Sequence, residues 1–505
     1  MSERVSQVGH RSPTPDEQRV VQAASDPRRW RALIVLGLIQ FIQVVDVTVV
    51  NVALPRIQHD LGFTAAGLAW VVDGYVLMAG GLLLLGGRLA DLFGRRRLFL
   101  VGVGVFALGS AACGAAVAPA MLVSARFVQG AGEALAAPAA LGLIALIFPD
   151  ARERMTALGI WGGLAGLAGV SGVVISGVLT DLASWRWIFY INVPIAAFAL
   201  LMVPRLVSES RMVREQRRPD FAGAMTATGG LVAIVYGLLQ AAAFPWASWR
   251  VLLPLLGGFG LLVSMVVVEA RSPAPLIPMR FFANRTRVVA NIGGLVFAAG
   301  FFAYIFLLTL FLQQVLGFSP LAGGLAYLPF GISMGVGIGL GTALMPRLGV
   351  KPLLSVGFFG AAAGLLITSG IQADSAYASG VLPGMVVLGL FSGLLVPAGA
   401  NAALHEVTGQ DASLASGVQQ AVQQIGGALG VAGLVALALR YAAARMRDGA
   451  LPAAAATHGY ALSFRIAAAL LAAGGVLVAL LLGRVNAQPR NPIAEVDPEP
   501  ASSRR

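Results

Sequence analysis

The sequence predicts an all-α polytopic membrane protein with fourteen transmembrane helices. Its 505 residues are 57% hydrophobic and only 11% charged, whereas soluble domains carry about 25% charged residues. Apolar windows of about 20 residues, long enough to cross a hydrocarbon layer of about 30 Å as a helix, recur along the whole chain. The fourteen windows lie at 32–54, 65–86, 98–118, 121–147, 156–179, 187–206, 222–242, 251–268, 290–314, 321–343, 352–371, 380–400, 413–439 and 460–483.

The net charge of +12 indicates membrane orientation rather than nucleic-acid binding. Most of the 35 Lys and Arg residues lie in the two ends of the chain or in every second loop. Because the chain crosses the membrane at each window, these segments all lie on the same side of the membrane. The positive-inside rule therefore predicts that both termini are cytoplasmic. The arginines between 440 and 447, in a predicted outer loop, run against this rule. Because the sequence has no basic patch interleaved with aromatic residues, we expect no nucleic-acid partner.

Metal, disulfide and nucleotide chemistry are not indicated by the sequence. It has one cysteine, Cys113, within the third window, and four histidines without ligand spacing. No phosphate-cradling glycine-rich loop is present, so ATP is not expected to drive the protein. No loop is long enough for an output domain, and no nucleophile and metal cluster appears. We therefore expect neither an enzyme nor a cofactor.

Charged and polar residues form stripes inside two of the windows. At 100° per residue, Gln40, Gln43, Asp46 and Asn51 fall on one face of the first window. The fourth window carries a second stripe, made of Arg126, Gln129, Gly130 and Glu133. A charge at mid-bilayer costs about 2.5–3.5 kcal/mol on insertion scales, so such residues are expected to face a polar interior and find partners.

Three of these charges lie at one depth in the predicted membrane. A rise of 1.5 Å per residue puts Asp46 about 13 Å, Asp73 about 12 Å and Arg126 about 10 Å below the outer surface. Glu133 lies about 10 Å deeper than Arg126. We expect a water-accessible cavity in which Arg126 pairs with Asp46 or with Asp73. A carboxylate that alternates between a guanidinium and a desolvated environment can bind a proton on one side and release it on the other; the alternative is a static ion pair that holds helices together.

Several blocks of sequence resemble one transporter family. "DVTVVNVALP" at 46–55, "GRLADLFGRRR" at 87–97 and "RFVQGAG" at 126–132 resemble signatures of the fourteen-helix drug/proton antiporters of the major facilitator superfamily. The likeness continues in "SWRWIFYINVP" at 184–194, "DFAG" at 220–223, "LGFSPLAGGLAYLP" at 316–329 and "QQIGGALGVA" at 423–432. It implies multidrug or antibiotic efflux coupled to protons, with Asp46, Arg126, Glu133 and Asp73 as the coupling candidates.

The resemblance also implies a gating loop and a helix-packing motif. In the 87–97 loop, Gly87 and Gly94 permit close helix approach and a turn, and Asp91, Arg95 and Arg96 could latch two halves together when the site faces outward. A purely topogenic loop is the alternative, and Leu92 stands where the family usually has a basic residue. Glycines of the fifth window resemble the family's antiporter signature, although plain helix packing explains them equally well: Gly166, Gly169, Gly172 and Gly177.

The segment "GTALMPRLGVK" at 341–351 is weakly similar to the 87–97 loop. This similarity supports two six-helix halves related by repetition. We expect a disordered cytoplasmic tail at 1–30, an N-terminal six-helix half at 31–206 and a cytoplasmic basic loop at 207–220. Two inserted transmembrane helices at 221–270, a C-terminal six-helix half at 271–484 and a second disordered tail at 485–505 follow.

The expected cargo is a lipophilic, often cationic, small molecule bound near the midplane between the halves. The protein would work as a monomer in a bacterial inner membrane. The alternative function is a facilitator-fold exporter or symporter of a specific endogenous metabolite or nutrient. The candidates for lining the cargo site, each of which could instead bond one helix to another, are Gln40, Gln43, Asn291, Tyr304, Gln313, Gln314, Gln419, Gln420 and Gln423.

Overall fold

Helices dominate the protein, as the sequence predicts. A computed structural model describes residues 28–148, 150–207, 209, 221–271, 281, 283–406 and 412–483, and within them no β-strand occurs. The all-α fold class is therefore confirmed. The tails predicted at 1–30 and 485–505 lie outside the described residues except for 28–30, and the loop predicted at 207–220 does so except for 207 and 209.

The helix bounds agree with most of the predicted windows, but residues 87–97, predicted to be a loop, are helical except at Gly94. In chain order the helices are α1 (Arg28–Leu61), α2 (Ala69–Phe93), α3 (Arg95–Gly114), α4 (Pro119–Ile147), α5 (Ala151–Leu182), α6 (Trp187–Tyr190), α7 (Asn192–Leu206), α8 (Phe221–Gln240), α9 (Trp249–Arg271), α10 (Arg285–Leu310), α11 (Pro320–Ala326), α12 (Leu328–Leu348), α13 (Val350–Thr368), α14 (Leu382–Ala403), α15 (Ala412–Arg447) and α16 (Pro452–Leu481). Thirteen helical stretches in the described part of the chain are long and apolar enough to cross a membrane. The predicted fifth window lies in α5, within which Leu167–Leu182 is a shorter apolar helix.

Local sequence signals explain where several helices begin. The side chains of Asp150, Asn284 and Ser319 accept hydrogen bonds from backbone N–H groups at the starts of α5, α10 and α11. Such N-caps satisfy amides that have no partner within the helix. Pro119 occupies the first position of α4, where its missing N–H is not needed.

Two glycines with positive φ separate successive helices at similar places. Gly94 (φ 102°) lies between α2 and α3, and Gly349 (φ 81°) lies between α12 and α13. The N–H of each bonds back to the preceding helix, at Ala90 and Met345 respectively. These positions lie in the 87–97 loop and in the similar segment 341–351, so the weak sequence similarity corresponds to the same local backbone conformation.

The helices pack as two groups and one pair. In the first helix group, α1–α7, α4 lies between α2 and α3, and α1 packs against α5 and α7. In the second helix group, α10–α16, α14 lies between α12 and α13, and α10 packs against α15 and α16. The pair α8 and α9 is held mainly through α8, which contacts both α2 and α15. Most of the apolar surface of α9 remains exposed, as expected of a helix that faces lipid.

The end of α15 corrects one sequence prediction. Residues 440–447, predicted to be an outer loop, continue the helix to Arg447. Arg440 donates from Nη1 to the carbonyl of Phe244 (2.8 Å) and, more weakly, to that of Ala241 (3.3 Å). These carbonyls follow the last turn of α8, where a cation is favourable. This contact explains why Arg440 occurs at the outer end of a helix although the positive-inside rule disfavours an arginine there.

The two helix groups meet mainly where α2 packs against α15 and α5 against α11, and α1 also contacts α10 and α11. At one end of the bundle, Val52 and Gln58 of α1 bond to Gln313 and Gln314, which directly follow α10, and Gly177 of α5 lies close to Leu321 of α11. These residues lie at the end of the bundle that the positive-inside rule places outside the cytoplasm. We call it the outer end.

Candidate functional site

The centre of the first helix group contains a buried ion pair between α1 and α4. Arg126 Nη1 donates to Asp46 Oδ2, and both side chains are 1% exposed. Pairing offsets the high cost of each charge in an apolar interior. The sequence left Asp46 and Asp73 as alternative partners, and the geometry selects Asp46. Because both groups are sealed from solvent, the expectation of a water-accessible pair is wrong for this conformation.

Three further polar side chains complete what we call the buried network. Asp46 Oδ1 accepts hydrogen bonds from Gln129 Nε2 (2.7 Å) and Asn192 Nδ2 (3.0 Å). The same two amide groups donate to Ser110 Oγ at 2.8 and 2.9 Å. The carboxylate of Asp46 thus receives donors from α4 and α7 as well as the guanidinium of Arg126. Both of its oxygens are used as acceptors, which is the arrangement that a buried charge requires.

The guanidinium of Arg126 is also held on its other sides. It donates to Gln129 Oε1 and, from Nε, to the carbonyl of Val71 in α2, both at 2.7 Å. Its Cζ lies 4.2 Å from the ring centroid of Tyr75 and 5.8 Å from that of Phe189. A cation over aromatic faces gains further electrostatic attraction. Arg126 therefore connects α1, α2 and α4 at one level of the bundle.

Glycines bring α3 close enough to α4 for this network to form. A Cβ at Gly109 would lie 2.8 Å from the backbone nitrogen of Gln129, and one at Gly102 would lie 2.6 Å from that of Ala136. Only residues without a side chain permit such an approach. The contact at Gly109 places its neighbour Ser110 within hydrogen-bond distance of Gln129.

Asp73 lies apart from the ion pair. It is fully buried, and neither of its carboxyl oxygens has a hydrogen-bond partner in the described structure. Gly80, seven residues later and so on nearly the same face of α2, packs against Gln424 of α15. Asp73 thus lies on the face of α2 that turns toward the second helix group, while Arg126 contacts α2 through Val71. The alternative pair of Asp73 with Arg126 is wrong for this reason.

Glu133 lies deeper in the bundle, two turns along α4 from Arg126. It is 6% exposed, and its Oε2 has no hydrogen-bond partner among the described residues. Its interaction partners include Tyr75, whose ring also covers Arg126. Tyr75 thus lies close to both Glu133 and Arg126, but its hydroxyl has no hydrogen-bond partner in the described structure, so no bond joins Glu133 to the buried network through it.

The charged residues of the 87–97 loop bond within the first helix group. Arg95 Nη2 lies 3.1 Å from Asp91 Oδ1, and Arg95 Nη1 donates to the carbonyl of Gly142 at 2.9 Å. Arg96 Nη1 donates to the carbonyl of Val207 at 3.0 Å. These contacts tie α2, α3 and α4 to the end of α7. The resemblance implies that this loop joins the two halves in an outward-facing state, but these bonds do not connect the halves.

Gly94 and Glu209 define the turn inside this loop. A Cβ at Gly94 would lie 2.6 Å from Glu209 Oε1, in addition to the strain of its positive φ. The carboxylate of Glu209 accepts hydrogen bonds from the backbone N–H groups of Arg96 and Arg97, each at 3.2 Å. A negative charge is favourable at the N-terminus of α3, so Gly94 leaves room for a capping carboxylate.

Gly87 does not have the role that its place in the loop suggests. A Cβ there would lie 3.7 Å from that of Pro138, which is ordinary contact, so the expected close approach is wrong. The preceding Gly86 makes it instead, because its Cβ would overlap the backbone of α4 at Ala134 and lie 3.3 Å from Leu135 Cα.

The glycines of α5 divide into two kinds. Gly172 packs tightly against α1, and a Cβ at Gly177 would lie 2.7 Å from Leu321 Cα in α11. Among the described residues, nothing lies within 4 Å of a Cβ at Gly169, so the packing role predicted for it is wrong. The surroundings of Gly166 lie outside what the structure describes. The tight contacts thus belong to the outer half of α5.

Two of the proposed cargo-lining glutamines link the helix groups instead. Gln313 Nε2 donates to the carbonyl of Val52 at 2.8 Å. Gln314 Nε2 donates to Gln58 Oε1 at 2.9 Å. Both bonds join the second helix group to the outer end of α1, so these residues act as helix-to-helix donors in this conformation.

The other cargo-lining candidates lie in different environments. Tyr304 is fully buried, with its ring centroid 5.3 Å from that of Phe464, so it lines no open space in this conformation. Asn291 donates to the carbonyl of Arg287 in its own helix at 2.8 Å. Gln43 is 2% exposed, and its Nε2 has no partner in the described part of the chain. The remaining candidates are all half-buried: Gln40, Gln419, Gln420 and Gln423.

Sequence reasoning missed two members of the buried network. Ser110 is a single polar residue in an otherwise apolar and small-residue window, a signal too weak to separate it from other buried serines. Asn192 falls inside the block 184–194, and a second amide at the depth of Asp46 could have identified it. Gln129 was placed correctly on the polar stripe of the fourth window.

Comparisons with known proteins agree with this architecture. A family model described as Major Facilitator Superfamily matches residues 36–431. The chain is 38% identical to the puromycin resistance protein pur8 of Streptomyces alboniger, over 96% of this chain and 98% of that protein. It is 39% identical to the cephamycin export protein CmcT of Amycolatopsis lactamdurans, over 80% of this chain and 84% of that protein. The fold is shared with a solved structure of a bacterial homolog of the human lysosomal transporter Spinster in an inward-facing and unoccupied conformation. The TM-score is 0.64 at 17% sequence identity, and the match covers 91% of this chain and 98% of that one.

Proposed function

This chain belongs to the major facilitator superfamily, and from that premise we propose that it exports antibiotic-like small molecules in exchange for protons. Membership makes it a multi-pass membrane transporter rather than an enzyme. Export is supported by the similarity to a resistance protein along nearly the whole chain and to an export protein along most of it.

The observation that carries the proton coupling is the convergence of three donors on Asp46. A proton on Asp46 would cancel its charge and turn one acceptor oxygen into a donor. The carboxyl could then no longer accept all the bonds from Arg126, Gln129 and Asn192. Arg126 would keep Gln129 Oε1 and the carbonyl of Val71 as acceptors, so the guanidinium could turn away from α1 without losing every partner.

The energies involved are of matching size. Removing one partner of a buried ion pair destabilises the folded protein by about 3–5 kcal/mol. A proton that crosses a membrane potential of about 100 mV releases about 2.3 kcal/mol. The proton thus supplies part of the cost of breaking the pair, and in this proposal cargo binding supplies the rest of the shift between two arrangements of the helix groups. Glu133, a buried carboxyl two turns along α4 from Arg126, and Asp73, a buried carboxyl on the face of α2 toward the second helix group, are the further protonation sites of this proposal.

We assign the remaining roles on the same basis. The segments 31–206 and 271–484 are the two halves that move against each other, and 221–270 is the inserted pair. Both termini are cytoplasmic in a bacterial inner membrane, and one chain forms the whole pathway as a monomer. The cargo is lipophilic and often cationic, and it lies between the halves against the half-buried amides of Gln40, Gln419, Gln420 and Gln423.

Reconstituted transport tests the proposal. Purified protein in liposomes should move a panel of chemically varied antibiotics and lipophilic cations when a pH gradient is imposed, and a protonophore should stop it. Asp46→Asn should abolish the pH-driven component while the protein still elutes as a folded species. The matched control is Asp374→Asn, because Asp374 is an exposed carboxylate in the loop between α13 and α14. Normal pH-driven transport by Asp46→Asn would exclude Asp46 as the coupling group, and transport by the unaltered protein that ignores the gradient would exclude proton exchange.

A further inference from the structure

We propose that Gln313 and Gln314 form a latch that holds the outer end of the pathway closed and must release before cargo can leave. This inference rests on the proposed export function. The two amides donate to the carbonyl of Val52 and to the side chain of Gln58, at 2.8 and 2.9 Å. Residues more than 250 positions apart are thus joined across the line where the two helix groups meet.

The backbone at the latch is a π-helical turn. Residues Phe311–Val315 form this turn directly after α10, and Gly317, with a φ of 71°, ends the segment. A π turn changes the direction of the side chains that follow it and occurs often at functional sites. Two consecutive side chains of a regular helix point about 100° apart, whereas here both reach α1. The unusual turn therefore presents both amides to the same partner helix.

The acceptor side of the latch lies around a proline. Pro55 is inside α1, between the two acceptor residues Val52 and Gln58. Proline has no N–H and its ring disturbs the preceding turn, so a helix bends or loosens at this point. The outer end of α1 can thus change direction while the part that carries Asp46 stays packed. Val52 lies about 9 Å outward of Asp46 along α1, so the latch joins the helix groups at a level outward of the buried network.

Hydrogen bonds between neutral groups suit a latch that has to open in each transport cycle. Gln314 is exposed at the outer end and Gln313 is half-buried, so water can replace their partners when the groups separate. Each bond then favours the closed state by only about two- to tenfold. The close contact of Gly177 with Leu321 gives the latch a second, apolar edge between α5 and α11.

Labelling of a reporter cysteine tests the latch without cargo or a proton gradient. Val47 is half-buried, lies on the face of Gln40 seven residues earlier, and is inward of Val52. In a Cys113→Ala background, Val47→Cys should react slowly with a membrane-impermeant maleimide added from outside. Gln313→Ala with Gln314→Ala should raise the rate by about tenfold, the effect of two lost bonds of this kind.

The matched control for labelling is Gln240→Ala. Gln240 also lies at the outer end, but it bonds to Tyr236 in its own helix at 2.8 Å, so its loss should leave the rate unchanged. Equal labelling rates with and without the two latch glutamines would overturn the proposal.

Cross-linking tests whether the latch must open during transport. Gln58→Cys with Gln314→Cys, joined by a short reducible bis-thiol linker, should lose efflux and regain it after reduction. Each single cysteine variant, treated in the same way, should keep its efflux. Full efflux by the joined protein would overturn the proposal. A lack of export by the unaltered protein would instead count against the proposed function, and the labelling result would stand by itself.

Discussion

Charge removal at both members of the ion pair should destabilise the fold by less than the sum of the two single removals. Asp46→Asn keeps the size of the side chain but puts an amide opposite Arg126. If the new Oδ1 still accepts from Gln129 and Asn192, as Asp46 Oδ1 does at 2.7 and 3.0 Å, then the new Nδ2 points its hydrogens at the guanidinium. The variant therefore leaves a buried cation facing donors rather than an acceptor.

The size of this effect follows from the burial of the pair. Both side chains are 1% exposed, and breaking a buried pair by removing one partner costs about 3–5 kcal/mol. Arg126→Gln should cost a similar amount, because Asp46 then keeps only amide donors. Asp46→Asn with Arg126→Gln leaves no unpaired charge. We therefore expect the double variant to be more stable than the sum of the two losses predicts, with a coupling of about 2–3 kcal/mol.

A double-mutant cycle measures this coupling through reversible unfolding of purified protein in mixed detergent micelles. Asp91 and Arg95 serve as the control pair, because they have the same charges but side chains 41% and 15% exposed, and such pairs couple by about 0.5 kcal/mol or less. Strictly additive losses at Asp46 and Arg126 would refute the reasoning. The double variant should also remain inactive in pH-driven efflux, which separates the stability of the pair from its part in coupling.

Three other substitutions test the contacts around the site. Gly109→Ala should lower the melting temperature and the efflux rate, because its Cβ would lie 2.8 Å from the backbone of Gln129. Gly104→Ala on the same helix is the control: no described atom lies within 4 Å of its Cβ, so it should be neutral or slightly stabilising in the same thermal melt. Arg440→Ala should make the segment after α8 more sensitive to limited proteolysis, since it removes the donor to the carbonyls there, whereas Arg440→Lys should retain part of the protection. Glu209→Gln should destabilise the protein by about 1 kcal/mol through the loss of a charge at the N-terminus of α3, measured by chemical unfolding.

The fold could be predicted because the membrane imposes a simple rule. A helix satisfies its own backbone hydrogen bonds in lipid, so each window of about 20 apolar residues indicates one element. The exceptions lie where side chains make specific contacts. Residues 440–447 carry three arginines and were predicted to be a loop, but the helix continues because Arg440 bonds to the end of α8. A hydropathy profile cannot predict a hydrogen bond between residues that are far apart in the sequence.

The ion pair could be predicted in part from helical rise. The helical rise places Asp46, Asp73 and Arg126 at one depth in the membrane, and the ion pair does form between two of these residues. The rise does not determine the direction in which each helix turns its side chains. Asp73 faces away from Arg126 because α2 turns the face of Gly80 toward Gln424, and this rotation depends on long-range packing. The role of Gly169 could not be predicted for the same reason, since glycine content does not show which face of α5 has a neighbour.

Conformation explains why some predicted roles are not visible at once. The proposed export cycle needs at least one state in which Asp46 meets water, yet in this structure its side chain is only 1% exposed, and the two latch glutamines join the helix groups outward of it. Opening the contact of Gln313 with Val52 would separate the helix groups about 9 Å outward of the carboxylate, and this contact involves no atom of the buried network. Proton exchange with the outside would then follow the release of the latch and not precede it. On this order of events, variants of the latch should change how fast Asp46 exchanges its proton, whereas variants of the network should change whether that exchange moves cargo.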